Sequence, residues 1–149
     1  MLSVIIPCFN EEEIIAKNTN KILNWSKNQD FKTEILVVNN NSTDKTLEEI
    51  NKFEDYEDVV ILNELNKGKG FAVKKGILNC KYDKAIILDA DLSADIKELK
   101  KEWLEVDELL IIGSRPLGNE INTPKIRKLS GNILNFLIRN IFKIDFLDT

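Results

Sequence analysis

Ala85-Ile86-Ile87-Leu88-Asp89-Ala90-Asp91-Leu92-Ser93 is an apolar run that ends in two carboxylates separated by one small residue. In an open parallel sheet the strand ends are rigid and face a cleft, so carboxylates placed there are aimed at a ligand. Hard oxygen donors suit Mg²⁺ or Mn²⁺, and such an ion against a diphosphate both holds it and stabilises it as a leaving group. The same spacing also makes a strand-end turn with a helix cap. The elements on either side decide between the two.

Four further short apolar runs share its character: Leu2 to Ile6, Glu34 to Val38, Val59 to Leu62 and Leu109 to Ile112. Each is rich in Ile, Val or Leu and too short to stand alone as a helix, so all five, with Ala85 to Leu88, read as buried parallel strands. Helical patterns fill the intervals at Glu11 to Lys27, Asp44 to Phe53 and Gly70 to Asn79. Asn10 before Glu11-Glu12-Glu13, and Ser42-Thr43-Asp44 before the second helix, place capping oxygens and negative charge on first turns. Strands alternating with helices predict an α/β domain whose mainly parallel, Rossmann-like open sheet carries helices on both faces. Glu48 and Glu49 with Lys52, and Lys97 to Lys101 with Glu98 and Glu102, read as solvated helix faces.

The 149 residues fit one domain over 1–149, and a hydrophobic content of 43% is ordinary for a globular chain. A net charge of −4 argues against general nucleic-acid binding. Two cysteines, Cys8 and Cys80, with no leader ahead of the first strand predict reduced thiols and a cytoplasmic chain, and no apolar run is long enough to cross a bilayer. Histidine is absent, so any catalytic base must be a carboxylate, lysine, tyrosine or the substrate itself.

The other strand ends are also chemically equipped. The first runs into Pro7-Cys8-Phe9-Asn10-Glu11, where an aromatic among polar groups can hold a base. The second ends in Asn39-Asn40-Asn41-Ser42-Thr43-Asp44, whose amides offer donors and acceptors to a heterocycle edge and also make turns. Asn66-Lys67-Gly68-Lys69-Gly70 opens a helix where glycines allow close approach and the helix start attracts anions, with Lys67 and Lys69 adding positive charge. It lacks the Gly-Lys-Ser/Thr ending of a phosphate-binding P-loop, and the first turn lacks Gly-x-Gly-x-x-Gly. Gly113-Ser114-Arg115 follows the fifth strand and suits a phosphate. A loop at Gly113 to Pro124 then leads to an amphipathic helix, Lys125 to about Lys143, with Ile126, Leu129, Ile133, Leu137 and Ile141 on one stripe. Its basic ends suit an anionic membrane surface, and its apolar face suits the chain's own sheet or a partner copy.

Ser3-Val-Ile-Ile-Pro7-Cys-Phe-Asn10-Glu11-Glu12, Val37-Val-Asn-Asn-Asn-Ser42-Thr-Asp44, Asn66-Lys-Gly68-Lys-Gly70-Phe-Ala72, Leu88-Asp-Ala-Asp-Leu-Ser93 and Gly113-Ser-Arg115 occur in the order seen in family 2 glycosyltransferases with the GT-A fold, which the chain resembles. Within that family it is most similar to the dolichyl-phosphate or polyprenyl-phosphate sugar synthases. The resemblance implies that Pro7, Phe9 and Glu11 line the nucleotide-base pocket and that Asn40 stands where an aspartate usually bonds to the base. It implies further that Asp89 faces the ribose or the metal shell, that Asp91 binds metal and diphosphate, and that Arg115 and Arg127 hold an acceptor phosphate. Asn39, Gly68, Lys69 and Ala90 complete the implied nucleotide-sugar site. Residues 1–115 would be its donor part, and 116–149 an incomplete acceptor side.

The departures carry expectations of their own. Many relatives have Asp-Asp-Gly-Ser where this chain has Asn39-Asn40-Asn41-Ser42; an amide oxygen still accepts one bond from uracil but pairs poorly with a guanine edge, which favours a UDP-sugar over GDP-mannose. The chain ends at Asp148-Thr149, where relatives continue, so part of the acceptor side is expected to be missing. The resemblance implies metal-dependent transfer of a hexose to a lipid-linked phosphate, peripheral to the cytoplasmic face of a membrane. The rival readings are transfer to a saccharide hydroxyl and a nucleotide-binding module without turnover. An apolar face left uncovered by missing elements would pair two copies into a homodimer.

Overall fold

The computed structural model describes residues 1–106. The chain runs β1 (Leu2–Cys8), α1 (Ile15–Ser26), β2 (Thr33–Asn39), α2 (Thr46–Asn51), β3 (Val59–Asn63), α3 (Lys69–Leu78) and β4 (Ala85–Ile87), followed by two 3₁₀ turns at Ile96–Glu98 and Lys101–Leu104. The expected fifth strand, the Gly113 to Pro124 loop, the amphipathic helix, Arg115 and Arg127 lie outside the described residues.

All four strands are parallel, in the order β3-β2-β1-β4. The chain steps outward from β1 to β3 and then returns to the other side of β1, so the direction of winding reverses between β1 and β4. Loops on the two sides of such a reversal part at the carboxyl ends of the strands and leave a crevice.

β1 and β2 are buried along their whole length, as strands covered on both faces must be. Alternation divides their side chains. Leu2, Val4, Ile6, Ile35 and Val37 pack with Ile15, Ile22 and Leu23 of α1 and Ile50 of α2, while Ile5, Leu36 and Val38 pack with Ala72 of α3. α3 comes close because of Gly76: a Cβ there would lie 2.5 Å from Ile5 Cγ2. β3 and β4 depart from the expected burial, with Ile61 and Leu62 only half-buried and Ile87 exposed, because they flank the two central strands.

Pro7 sits inside a central strand, where a missing N–H normally breaks a ladder. Leu2 N donates to Lys32 on the β2 side and Ser3 N to Lys84 on the β4 side, so odd positions of β1 face β4. β4 pairs only as far as Ile5, so the ladder ends at Pro7 on that side alone while β1 continues to Cys8 against β2. At the opposite end of the sheet the buried Glu34 carboxylate accepts from the Ser3 hydroxyl at 2.6 Å and from the Lys81 N–H.

Three local expectations are corrected. α1 begins at Ile15 rather than Glu11, and Asn10 is no cap: its φ is +55° and its side chain reaches across to Thr43. The second helix is shorter than its pattern, Thr46–Asn51, although Asp44 does accept from the Thr46 N–H at 2.9 Å. The Lys97 to Lys101 charges ride on 3₁₀ turns instead of an α-helix, and Lys101 pairs with Asp30. That contact lowers the Asp30 pKa and raises that of Lys101. Among the described residues no helix is long and apolar enough to cross a membrane.

Candidate functional site

The crevice holds one cavity of about 520 Å³ lined by Pro7, Cys8, Phe9, Glu11, Asn40, Lys67, Gly68, Lys69, Asp89, Ala90 and Asp91. Its size suits a nucleotide-scale ligand. Every expected nucleotide-sugar residue within the described part lines it except Asn39. That side chain stands behind the wall, donating to Asn63 Oδ1 at 2.9 Å and accepting from the Ser42 N–H at 3.1 Å. Cys8 joins the lining unforeseen; burial, then the Glu11 and Asp44 carboxylates, push its thiol pKa up to about 12, so it faces the cavity as a neutral group.

The β1 side is held by a network between two loops. Asn10 N donates to Ser42 Oγ at 3.0 Å, and Asn10 Oδ1 accepts from Thr43 N at 2.8 Å. Glu11 N donates to Thr46 Oγ1 at 2.7 Å, Glu12 N to Asp44 Oδ2 at 3.2 Å, and Lys45 N to Glu12 Oε2 at 2.7 Å. Burial would raise the Asp44 pKa, but the hydrogen bonds from the Thr46 hydroxyl, the Thr46 N–H and the Glu12 N–H outweigh it and hold the carboxyl below its ordinary value. The Ser42-Thr43-Asp44 run therefore braces the loop that carries Phe9 and Glu11. Phe9 itself is 50% exposed, an aromatic face open at the mouth.

Asn40 joins this side to the glycine loop. Its Nδ2 donates to Asn66 O at 2.7 Å, and its Oδ1 accepts from Gly68 N at 2.8 Å. An aspartate could make only the second bond. Gly68 has φ +127°, a conformation that favours glycine, and directly precedes α3, whose first N–H groups lie beside Lys69.

The floor is the turn after β4. Leu92 N donates to Asp89 O at 2.9 Å, Ser93 N donates to Asp91 Oδ1 at 2.9 Å, and Asn18 of α1 donates to Ala90 O at 2.8 Å. Leu92 lies at φ +52°, a left-handed conformation costing a bulky residue about 1–2 kcal/mol. Strain of this kind gathers where geometry serves a ligand. Asp89 is ion-paired with Lys69, and both side chains are largely exposed. Nothing but the helix signal in its sequence pointed to Asn18, whose role needs the fold to be seen.

Among the described residues no three His, Cys, Asp or Glu side chains are grouped so as to hold a metal ion. Asp89 and Asp91 nonetheless fit one kind of ion: Mg²⁺ is commonly held by one or two carboxylates, with substrate phosphates and water completing its shell. The donor set suits an ion that arrives with a diphosphate.

Comparison with known proteins agrees with this architecture. The chain is 32% identical over 141 residues to a dolichyl-phosphate beta-glucosyltransferase of Trichomonas vaginalis, covering 85% of this chain and 44% of that one. It spans about half the length of the curated relatives it matches. The mannosyltransferase PcManGT from Pyrobaculum calidifontis, solved with GDP-Man and Mn²⁺, superposes with a TM-score of 0.53 at 28% identity, over 60% of this chain and 27% of that one. S. aureus TarS 1-349, solved with UDP, gives a TM-score of 0.52 at 25% identity over the same shares. The α/β fold is thus the GT-A fold expected from the motifs. The glycosyl transferase family 2 profile matches residues 3–147, and the chain belongs to that family.

Proposed function

We propose that residues 1–115 form the donor part of a metal-dependent hexosyltransferase that moves a sugar from a nucleotide sugar to a polyprenyl or dolichyl phosphate at a membrane surface. The observation that carries this reading is the convergence of Phe9, Asn40, the Gly68-Lys69 helix start and the Asp89-Ala90-Asp91 turn on one cavity. Phe9 offers the base a stacking face, the α3 start with Lys67 and Lys69 offers the phosphates donors and charge, and Asp89 and Asp91 offer an ion two hard ligands. That ion would stabilise charge on the departing diphosphate. An acceptor phosphate is already anionic and needs little from a general base, which suits a chain without histidine. Arg115 and Arg127 are proposed to steer that acceptor, as the family resemblance implies.

A UDP-sugar is the proposed donor. Asn40 Oδ1 already accepts from Gly68 N, which leaves one acceptor site for a single N–H such as that of uracil, whereas the adjacent donors of guanine are better met by a carboxylate. Similarity to a dolichyl-phosphate beta-glucosyltransferase supports the lipid-phosphate acceptor.

Thermal melting of the full chain with UDP, GDP, UDP-glucose and GDP-mannose, each with and without Mn²⁺, tests the reading. Ligand at about 100 times its dissociation constant stabilises by roughly 2.7 kcal/mol. An Mn²⁺-dependent shift with the uracil nucleotides is expected; a larger shift with the guanine pair would reverse the base assignment, and none at all would remove the donor site.

A further inference from the structure

We propose that Lys69 is an exchangeable counter-ion: it neutralises Asp89 while the cavity is empty of nucleotide and transfers to the diphosphate when nucleotide and metal bind together. The proposal rests on the preceding reading, that Asp89 and Asp91 hold an ion shared with a diphosphate. Its consequence is that metal and nucleotide bind cooperatively, each poorly without the other.

The two carboxylates differ in a way that supports this. Asp91 is tied to its own turn through the Ser93 N–H at 2.9 Å, while Asp89 reaches across the cavity to the Lys69 ammonium. Side-chain exposures of 61% and 50% leave that pair in solvent, where an ion pair is weak and easily given up. The competing partner is stronger, because a diphosphate presents two to three negative charges to a single flexible ammonium. Lys69 is held at its backbone while its long side chain is exposed: it is the first residue of α3, and the preceding Gly68 N–H is fixed by Asn40 at 2.8 Å. Its ammonium can therefore sweep the cavity without any movement of the loop. A metal ion approaching alone meets an occupied Asp89 and a nearby positive charge. An ion arriving with a diphosphate brings the group that draws the lysine away. Lys67 lines the same cavity but makes no ion pair among the described residues, so it adds charge without guarding a ligand.

The test measures Mn²⁺ binding to the full chain by the loss of its free-ion electron paramagnetic resonance signal, without nucleotide and with UDP or GDP, and nucleotide binding by calorimetry at saturating Mn²⁺. Wild type, Lys69→Met, Lys69→Gln and Lys67→Met are compared, the Gln variant serving if the Met variant folds poorly. Removing Lys69 is expected to tighten Mn²⁺ without nucleotide by about three- to ten-fold. It is expected to weaken the nucleotide by about ten-fold in saturating Mn²⁺. Lys67→Met should weaken the nucleotide without comparable tightening of Mn²⁺. Unchanged Mn²⁺ affinity in the Lys69 variants, with nucleotide and Mn²⁺ still binding wild type together, overturns the exchange and leaves the donor-site reading standing. Equal tightening in Lys67→Met reduces the effect to net charge and also overturns it. Failure of wild type to bind either nucleotide with Mn²⁺ overturns both.

Discussion

The two sides of the crevice are built differently. On the β1-β2 side, fully buried strands end in loops cross-tied by backbone-to-side-chain bonds from Asn10, Glu11, Glu12, Thr43 and Lys45. On the other side, at the ends of the flanking strands β3 and β4, which are shorter and partly exposed, the cavity is lined by a glycine turn and a solvent-exposed ion pair, with the strained Leu92 next to Asp91. On the proposed donor reading, the first side would receive the flat, neutral base, whose recognition depends on position. The second carries Lys67, Lys69, Asp89 and Asp91, and on the counter-ion proposal charged groups that change partners are better left in solvent than locked in place. On that reading, rigidity and adaptability would be divided between the base end and the phosphate end of one ligand.

Substitutions can break this division, beginning with the largest effect. Asp91→Asn should cost about 100-fold, or roughly 2.7 kcal/mol, in nucleotide affinity measured with Mn²⁺ by calorimetry. Asp91 is exposed, so melting of the unliganded chain should stay within about 1 °C of wild type. Full retention of Mn²⁺-dependent binding would sink the role given to Asp91. Gly76→Ala acts oppositely, on stability alone: the new methyl meets Ile5, and overpacking of about 1–3 kcal/mol exceeds the helix-propensity gain of about 1 kcal/mol. A denaturant midpoint at or above wild type would show that α3 can shift away from the sheet.

Asn40→Ala cuts the join between the two sides and leaves the Gly68 N–H and the Asn66 carbonyl without their partner, at about 1–2 kcal/mol. Hydrogen exchange should quicken at Gly68 and Lys69 more than at Thr43; the reverse order would deny Asn40 its place at the seam. Asp44→Ala is the mildest, about 1 kcal/mol or a few degrees in melting temperature. Because the Asp44 carboxyl is held below the ordinary 3.8, its contribution is complete above that pH and fades as pH falls through the lowered value. The melting difference between wild type and Asp44→Ala should therefore be constant near neutrality and close below about pH 4. A difference that grows on acidification would contradict the assignment.

The same contrast governs what the sequence discloses. β1 and β2 are legible because strands buried on both faces must be continuously apolar, and the carboxylate turn is legible because an apolar run stops at it. The start of α1 is not, since Asn10 followed by three glutamates has the local form of a cap while its partner, Thr43, lies on another loop. Asn39 reads like Asn40, and only the strand pairing Asn39↔Asn63 separates a residue behind the wall from one in it. Lys69 is legible as a positive charge, but its hold on Asp89 depends on β4 lying beside β1, across the reversal in strand order.

The central claim, that a divalent ion and a nucleotide diphosphate share this crevice, is tested most directly by crystals of the full chain grown with UDP and Mn²⁺, with anomalous diffraction locating the ion. The account predicts an anomalous peak in contact with the Asp91 carboxylate and the diphosphate, with the base against Phe9. A nucleotide bound in the crevice with no ion at Asp91, or an ion and nucleotide bound elsewhere, would contradict it.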